Sequence, residues 1–417
     1  MRATSIALHA SRPLCRAPIA SSLASLFGVL WASLLATSTV AAPAEEGMQL
    51  YGGIGWAYDD NILRVPDDGP AFDGRRGDAY RTAEAGVVYN KQIGRQRLAA
   101  TAKLSKVAFD NFEQLDYDGR DLQAAWFWEL GNKFEGRAET LYVQTLAPYT
   151  DFRSDQRNLR EQRRHVFDAG WKMHPSWKVR AGYSRDTFDY ELQAQRYNNR
   201  TEKAGEAELL YRARSGSSVG LVARRVEGEY PFRRPFDNHV LVDDFTQDEL
   251  KARIEWLATG STTVQALAGY VRREQPSYGA GRTSGLNGRV TGIHAPRGKV
   301  SYTAAVWREF APIESPVVSY TLNKGASIKA SWAATGKLRL EANVVYEKRD
   351  YNARRAFPGS NDLTDAIRSA NVRAVWQVRR KVQVIGGYAY QARTGSPVLG
   401  TGKFDANVAQ LSANVLF

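Results

Sequence analysis

Between Leu338 and Tyr346 the side chains alternate without a break, with Leu338, Leu340, Ala342, Val344 and Tyr346 on one side and Arg339, Glu341, Asn343 and Val345 on the other. Successive side chains of an extended strand point to opposite faces, whereas the apolar positions of an amphipathic helix recur every three or four residues. The segment is therefore read as a strand with one apolar and one polar face. The same period recurs at Leu250, Ala252, Ile254 and Trp256, at Val372, Ala374 and Trp376, at Trp177, Val179, Ala181 and Tyr183, and at Leu122, Ala124, Trp126 and Trp128. The helical period finds no comparable matches.

Turn signals rich in Gly, Asn, Pro or Ser fall near residues 94, 132, 175, 216, 260, 297, 336 and 380, the composition of tight hairpin connections. Longer polar loops lie between them, at about residues 59–77, 110–118, 147–159, 191–199, 231–242, 276–280, 311–316, 351–362 and 394–401. Eight short turns and nine long loops join eighteen strands, with both chain ends on the short-turn side. An even number of long strands, with short turns at one end and long loops at the other, predicts an all-β fold, a transmembrane antiparallel β-barrel of about 18 strands. Sixteen is the neighbouring even count. A turn every 37 to 44 residues also matches the spacing of β-propeller blades. A blade, however, divides that span into four short strands rather than two unbroken runs.

The first residues say where such a chain goes. Arg2, Arg12 and Arg16 precede an apolar run from about Ile19 to Val40, and small residues follow at Ala41 to Ala44. This is the order of a secretory signal peptide, so the expected division is residues 1–42 as signal peptide and 43–417 as outer-membrane barrel. Ser21, Ser22, Ser25 and Ser33 dilute the apolar run and argue against a retained anchor helix. Cys15, the only cysteine, lies before that run, so the mature chain has no thiol chemistry. Loss of residues 1–42 removes three arginines and no acid, which lowers the net charge from +13 to +10. No run of eighteen apolar residues follows, which excludes a helical membrane protein but not a barrel.

Aromatic placement supports the barrel independently. Trp128, Trp171, Trp177, Trp256, Trp332 and Trp376 all lie near short turns and share the apolar face, as rings at a hydrocarbon–headgroup boundary do. Tyr58, Tyr80, Tyr183 and Tyr346 are candidates for the opposite belt. At the C-terminus Ala409, Leu411, Ala413, Val415 and Phe417 give an apolar face ending on Phe, and closure of this strand onto the one around Met48 to Tyr58 would leave no unpaired edge in lipid.

Catalytic and metal chemistry find little support. His165, His174, His239 and His294 lack ligand spacing. Gly216-Ser217-Ser218-Val219-Gly220 fits the nucleophile-elbow pattern but sits in a hairpin turn instead of a strand-to-helix turn. No glycine-rich loop precedes a helix, so nothing points to nucleotide or nucleic acid, and no cofactor is expected. Asp59, Asp60, Asp67, Asp68 and Asp73 could hold calcium in the first long loop, but Arg64, Arg75 and Arg76 among them favour ion pairing. The polar strand face carries more information. It delivers Lys103, Arg137, Arg180, Arg212, Arg224, Lys251, Arg253, Arg339 and Arg373 to the lumen, together with Glu135, Glu139, Glu206, Glu208, Glu255 and Glu341. Arg180, Arg212, Arg253, Arg339 and Arg373 are the candidate track for an anionic solute. The competing reading is cross-strand ion pairing that braces the wall.

Tyr58-Asp59-Asp60-Asn61-Ile62-Leu63-Arg64 resembles the start of the EpsL-type outer-membrane proteins of bacterial exopolysaccharide systems, with Asp59, Asp60, Asn61 and Arg64 carrying the likeness. Phe109-Asp110-Asn111-Phe112, Leu115 to Asp121, Trp126, Trp128, Gly131 and Gly136 agree, and beyond about residue 140 only the layout does. The resemblance implies export of a polysaccharide across the outer membrane, with periplasmic and inner-membrane export proteins as partners beside the surrounding outer-membrane lipid. The alternative is a diffusion porin for small anions or oligosaccharides, which shares every feature except the resemblance. An enzyme would need a clustered acid, base and nucleophile that the sequence does not offer. A surface scaffold would have its lumen plugged by its own loops, the first above all.

Overall fold

The computed structural model describes residues 46–236, 239–275, 282–313, 320–351, 363–395 and 402–417. The expected signal peptide and Cys15 lie outside these residues, as do the expected loop at 276–280, most of those at 351–362 and 394–401, and half of that at 311–316.

The first strands are β1 (Gly47–Asp59), β2 (Asp78–Ile93), β3 (Gln96–Phe109), β4 (Tyr117–Leu130) and β5 (Phe134–Leu146). They continue as β6 (Leu159–His174), β7 (Trp177–Tyr190), β8 (Arg200–Arg212) and β9 (Ser218–Glu229), followed by a two-stranded loop hairpin, β10 (Arg234–Phe236) and β11 (His239–Leu241). The second half comprises β12 (Phe245–Leu257), β13 (Thr262–Glu274), β14 (Arg282–His294), β15 (Val300–Pro312) and β16 (Tyr320–Ala333). It ends with β17 (Leu338–Asp350), β18 (Thr364–Arg379), β19 (Val382–Arg393) and β20 (Phe404–Leu416). All strands except the loop hairpin form one 18-stranded antiparallel sheet. The sheet closes, because β1 pairs with β2 on one side and with β20 on the other, from Tyr51 opposite Leu416 to Asp59 opposite Val408. Closure matters physically: in hydrocarbon an edge strand would leave its N–H and C=O groups without partners.

The turns fall where the sequence places them. In one of the two-residue turns, Gly94-Arg95 joins Ile93 to Gln96 with Gly94 at φ +59°, a conformation that disfavours any side chain. The alternation also sets the faces as expected. Ile54 (69% exposed), Ile328 (61%) and Val344 (56%) stand outward with the other large apolar side chains, an area no water-facing wall of this size would expose. Trp171, Trp177, Trp256, Trp332 and Trp376 are exposed on that face at the short-turn end. Trp128 is half-buried beside them. Tyr58, Tyr183 and Tyr346 are likewise outward and exposed. Tyr80 corrects the expected upper belt. In β2 the outward side chains are the odd-numbered ones, so Tyr80 points into the barrel, buried, with its ring centroid 5.2 Å from that of Phe109.

One seam is incomplete. β14 and β15 pair only between Gly288–His294 and Tyr302–Arg308, whereas β15 stays paired with β16 as far as Pro312. The Arg308 guanidinium spans the gap, donating to the Leu286 carbonyl and, at 3.1 Å, to Asn287 Oδ1.

Candidate functional site

Inward-facing positions carry the charges that the alternation assigns to them, and most are knitted into cross-strand networks. Arg180 on β7 lies 2.5 Å from Glu206 and 3.1 Å from Glu208, both on β8, and 3.8 Å from Asp168 on β6. Arg253 on β12 reaches the same two glutamates, at 3.7 and 2.6 Å. Arg137 on β5 extends the network through Asp168 at 2.6 Å. On the other wall Arg373 pairs with Glu341 at 2.5 Å, and Arg289 pairs with Glu309 at 2.7 Å with its guanidinium 4.6 Å over the Trp307 ring. Of the five track candidates the structure thus brings Arg180 and Arg253 together and sets Arg373 on a separate wall. Arg212 and Arg339 sit at the short-turn ends of β8 and β17, exposed, and no ion pair joins them among the described residues. Bracing describes the paired three; of the five, Arg212 and Arg339 present open positive charge.

The Asp-Asp-Asn segment becomes intelligible only with the barrel closed. The Asp59 carboxylate accepts hydrogen bonds from Arg64 at 2.7 and 2.9 Å and from the Asn61 N–H at 2.9 Å. Asn61 donates from Nδ2 to the carbonyls of Val65 and Asp405, and Asp60 accepts from the backbone and side-chain N–H groups of Asn407 on β20. Asp59, Asn61 and Arg64 are all buried, and Arg64 is held at φ +54°. The segment is a clasp that ties the closing strand to β1 and turns the first long loop inward. There Ile62, Leu63 and Val65 pack on the inward side chains Tyr80, Val107, Phe109 and Tyr117, with Phe112, Leu115 and Tyr149. Each fully buried aliphatic side chain contributes about 1.5–3 kcal/mol, so the loop is anchored by apolar burial inside a polar barrel. The five loop aspartates do not converge: Asp59 belongs to Arg64 and Asp67 to Lys403 at 3.1 Å.

A second inward loop was not foreseen. The third loop, residues 147–158, leaves β5 and crosses to the far wall, where Asp151 lies 2.7 Å from Arg349 at the end of β17 and 2.8 Å from Arg393 at the end of β19. Arg393, whose side chain is 0% exposed, also donates to the Thr150 carbonyl, to Asp365 at 2.6 Å and to the Tyr351 hydroxyl at 2.7 Å. Burial alone would raise the Asp151 carboxyl, but the two guanidiniums outweigh it and hold the group below the usual carboxylate range. The sequence signal was slight: Arg349 and Arg393 stand on inward positions next to long loops, but nothing local links them to Asp151.

No family model matches the chain, and no curated protein does. Solved structures that match it include Pseudomonas aeruginosa OccK2 (OpdF), 12% identical over 89% of this chain and 98% of that one with a TM-score of 0.47. The outer membrane protein OpdK of the same organism matches at 11% identity over 89% and 99%, TM-score 0.46, and OpdL at 12% over 89% and 98%, TM-score 0.45. The EpsL resemblance is thereby corrected: the matching structures are outer-membrane porins of the Pseudomonas Occ type and not polysaccharide-export proteins. In this chain the Asp-Asp-Asn segment has a structural task, tying β20 to β1. The chain is a closed 18-stranded β-barrel of the bacterial outer membrane.

Proposed function

We propose that this barrel is a passive diffusion channel for small anions or oligosaccharides, narrowed by its third loop. The observation that carries the reading is the Asp151 crossing: a loop pinned to the opposite wall by two buried arginines subdivides the lumen and favours small solutes over a polymer. The charged inner wall supports passage of polar solutes by replacing hydrocarbon with fixed dipoles and charges. Arg212 and Arg339, open at the periplasmic mouth, support a preference for anions. Polymer export rested on the EpsL resemblance and loses its support with it, together with the periplasmic and inner-membrane partners.

Purified protein in planar bilayers should give steady conductance with a reversal potential that favours the anion in a salt gradient. Vesicles containing it should swell in small sugars and not in long oligosaccharides. Absence of conductance, or equal entry of short and long sugars, would refute the proposal.

A further inference from the structure

The outer rim of the barrel, at the long-loop end, is rich in outward-facing cations, and six of them have acidic partners; among the described residues Lys106, Arg120 and Arg185 have no ion pair, Lys106 standing opposite Asp118 and Arg185 opposite the Glu229-paired Lys203. Arg81 pairs with Asp110 at 2.7 Å, Arg163 with Glu161 at 2.7 Å and Lys203 with Glu229 at 2.6 Å. Arg225 pairs with Glu227 at 3.1 Å and Asp248 at 3.4 Å, and Arg272 and Arg282 share Glu274.

The sector from β15 to β18 departs from this pattern. Even-numbered residues face outward there, as Val306, Ile328, Val344 and Val372 do. Arg308 stands directly opposite Lys324, and Lys324 directly opposite Lys348. Arg368 is opposite Tyr346 and therefore diagonal to Lys348, with its guanidinium 6.0 Å from the centre of the Tyr346 ring. Lys324, Lys348 and Arg368 are exposed, and among the described residues no ion pair reaches any of them. Among the described residues the nearest acid on the outward face is Asp350, two residues beyond Lys348 at the end of β17, and it pairs with none of them. Directly opposed side chains on neighbouring strands are only about 5 Å apart at Cβ, and like charges so placed repel. The row therefore destabilises an isolated barrel. Beneath it, toward the membrane centre, the outward surface is Val306, Ala326, Ile328, Val344 and Tyr346.

We propose that this cationic row is a binding site for the phosphates of an outer-leaflet glycolipid, whose acyl chains lie along the apolar strip below it. A phosphate accepts several charge-assisted hydrogen bonds at once, so one group placed between Lys324, Lys348 and Arg368 turns mutual repulsion into attraction. Location decides the source. The site is on the lipid face at headgroup level, where a phosphorylated lipid is held by its chains and a free anion is not.

The test compares the wild type with a Lys324→Gln/Lys348→Gln/Arg368→Gln variant and with Arg225→Gln, taken from the acid-paired part of the rim. Each is purified in detergent and titrated with the phosphorylated glycolipid, its dephosphorylated form and inorganic phosphate. Each cation near an anionic lipid surface contributes about fivefold, so the triple variant should bind the phosphorylated lipid on the order of 100-fold more weakly, with Arg225→Gln close to wild type. A change of sign gives a second readout: Lys348→Gln should raise the unfolding midpoint in phosphate-free lipid, by relieving repulsion, and lower it in phosphorylated lipid. Equal binding by the triple variant, equal binding of the dephosphorylated lipid, or full competition by inorganic phosphate would overturn the site.

Discussion

Replacing Asp151 by Asn leaves the third loop its shape and removes the charge that pairs it with Arg349 and Arg393 on the far wall. In the native structure that carboxylate is largely buried, its side chain 14% exposed, between Arg349 and Arg393 at 2.7 and 2.8 Å. Removing one member of a buried ion pair costs about 3–5 kcal/mol, because the partner is left uncompensated. Here both arginines keep a second acid, Arg349 through Glu347 at 3.2 Å and Arg393 through Asp365 at 2.6 Å, so the lower end, about 3 kcal/mol, applies. At 1.4 kcal/mol per decade the ratio of pinned to released loop falls on the order of 100-fold. Single-channel recording should show the consequence as a higher mean conductance with frequent excursions that the wild type lacks, while the folded barrel's heat-resistant migration is unchanged. Acid should mimic the substitution. A carboxyl depressed in the pinned state stabilises that state above its ordinary titration range, and the contribution is lost as pH falls through the depressed value, so the wild-type loop should release only below about pH 4. Asp151→Asn should show no such acid step. Identical conductance and noise in the two proteins between pH 3 and 7 (about the range that protonates a carboxylate) would refute the latch.

The clasp at β1 predicts that Arg64→Ala, which strands the buried Asp59 carboxylate, destabilises the first loop by about 3–5 kcal/mol. Limited proteolysis of reconstituted protein should then cut within residues 60–77 while the barrel stays intact, and unchanged protection would contradict the assignment. The lumen arginines should divide into two groups. Arg180→Ala or Arg253→Ala leaves Glu206 and Glu208 undercompensated and should lower the urea midpoint. Arg212→Ala or Arg339→Ala should leave the midpoint within about 0.5 kcal/mol and move the reversal potential toward the cation. If both groups behave alike, the separation of bracing from open charge is wrong.

Strand positions, turns, closure and the face assignments other than that of Tyr80 were legible in the sequence, and each rests on a local rule. Side-chain direction reverses at every residue of a strand, so Leu338 to Tyr346 declares both faces without reference to any other part of the chain. Tyr80 departs from the expectation because its segment lacks that clean alternation of apolar and polar residues. What Asp59, Asp60 and Asn61 do was not legible, since half of their partners lie on β20, and Asn407 meets Asp60 only once the first and last strands have paired. The latch was farther from reach. Asp151 and Arg393 are 242 residues apart, and a long polar loop has no period to reveal which way it folds. The repeat within each strand fixed the wall of the barrel; only the tertiary structure decided what fills it, because inward loops are placed by charges and apolar side chains that meet across the lumen, not along the chain.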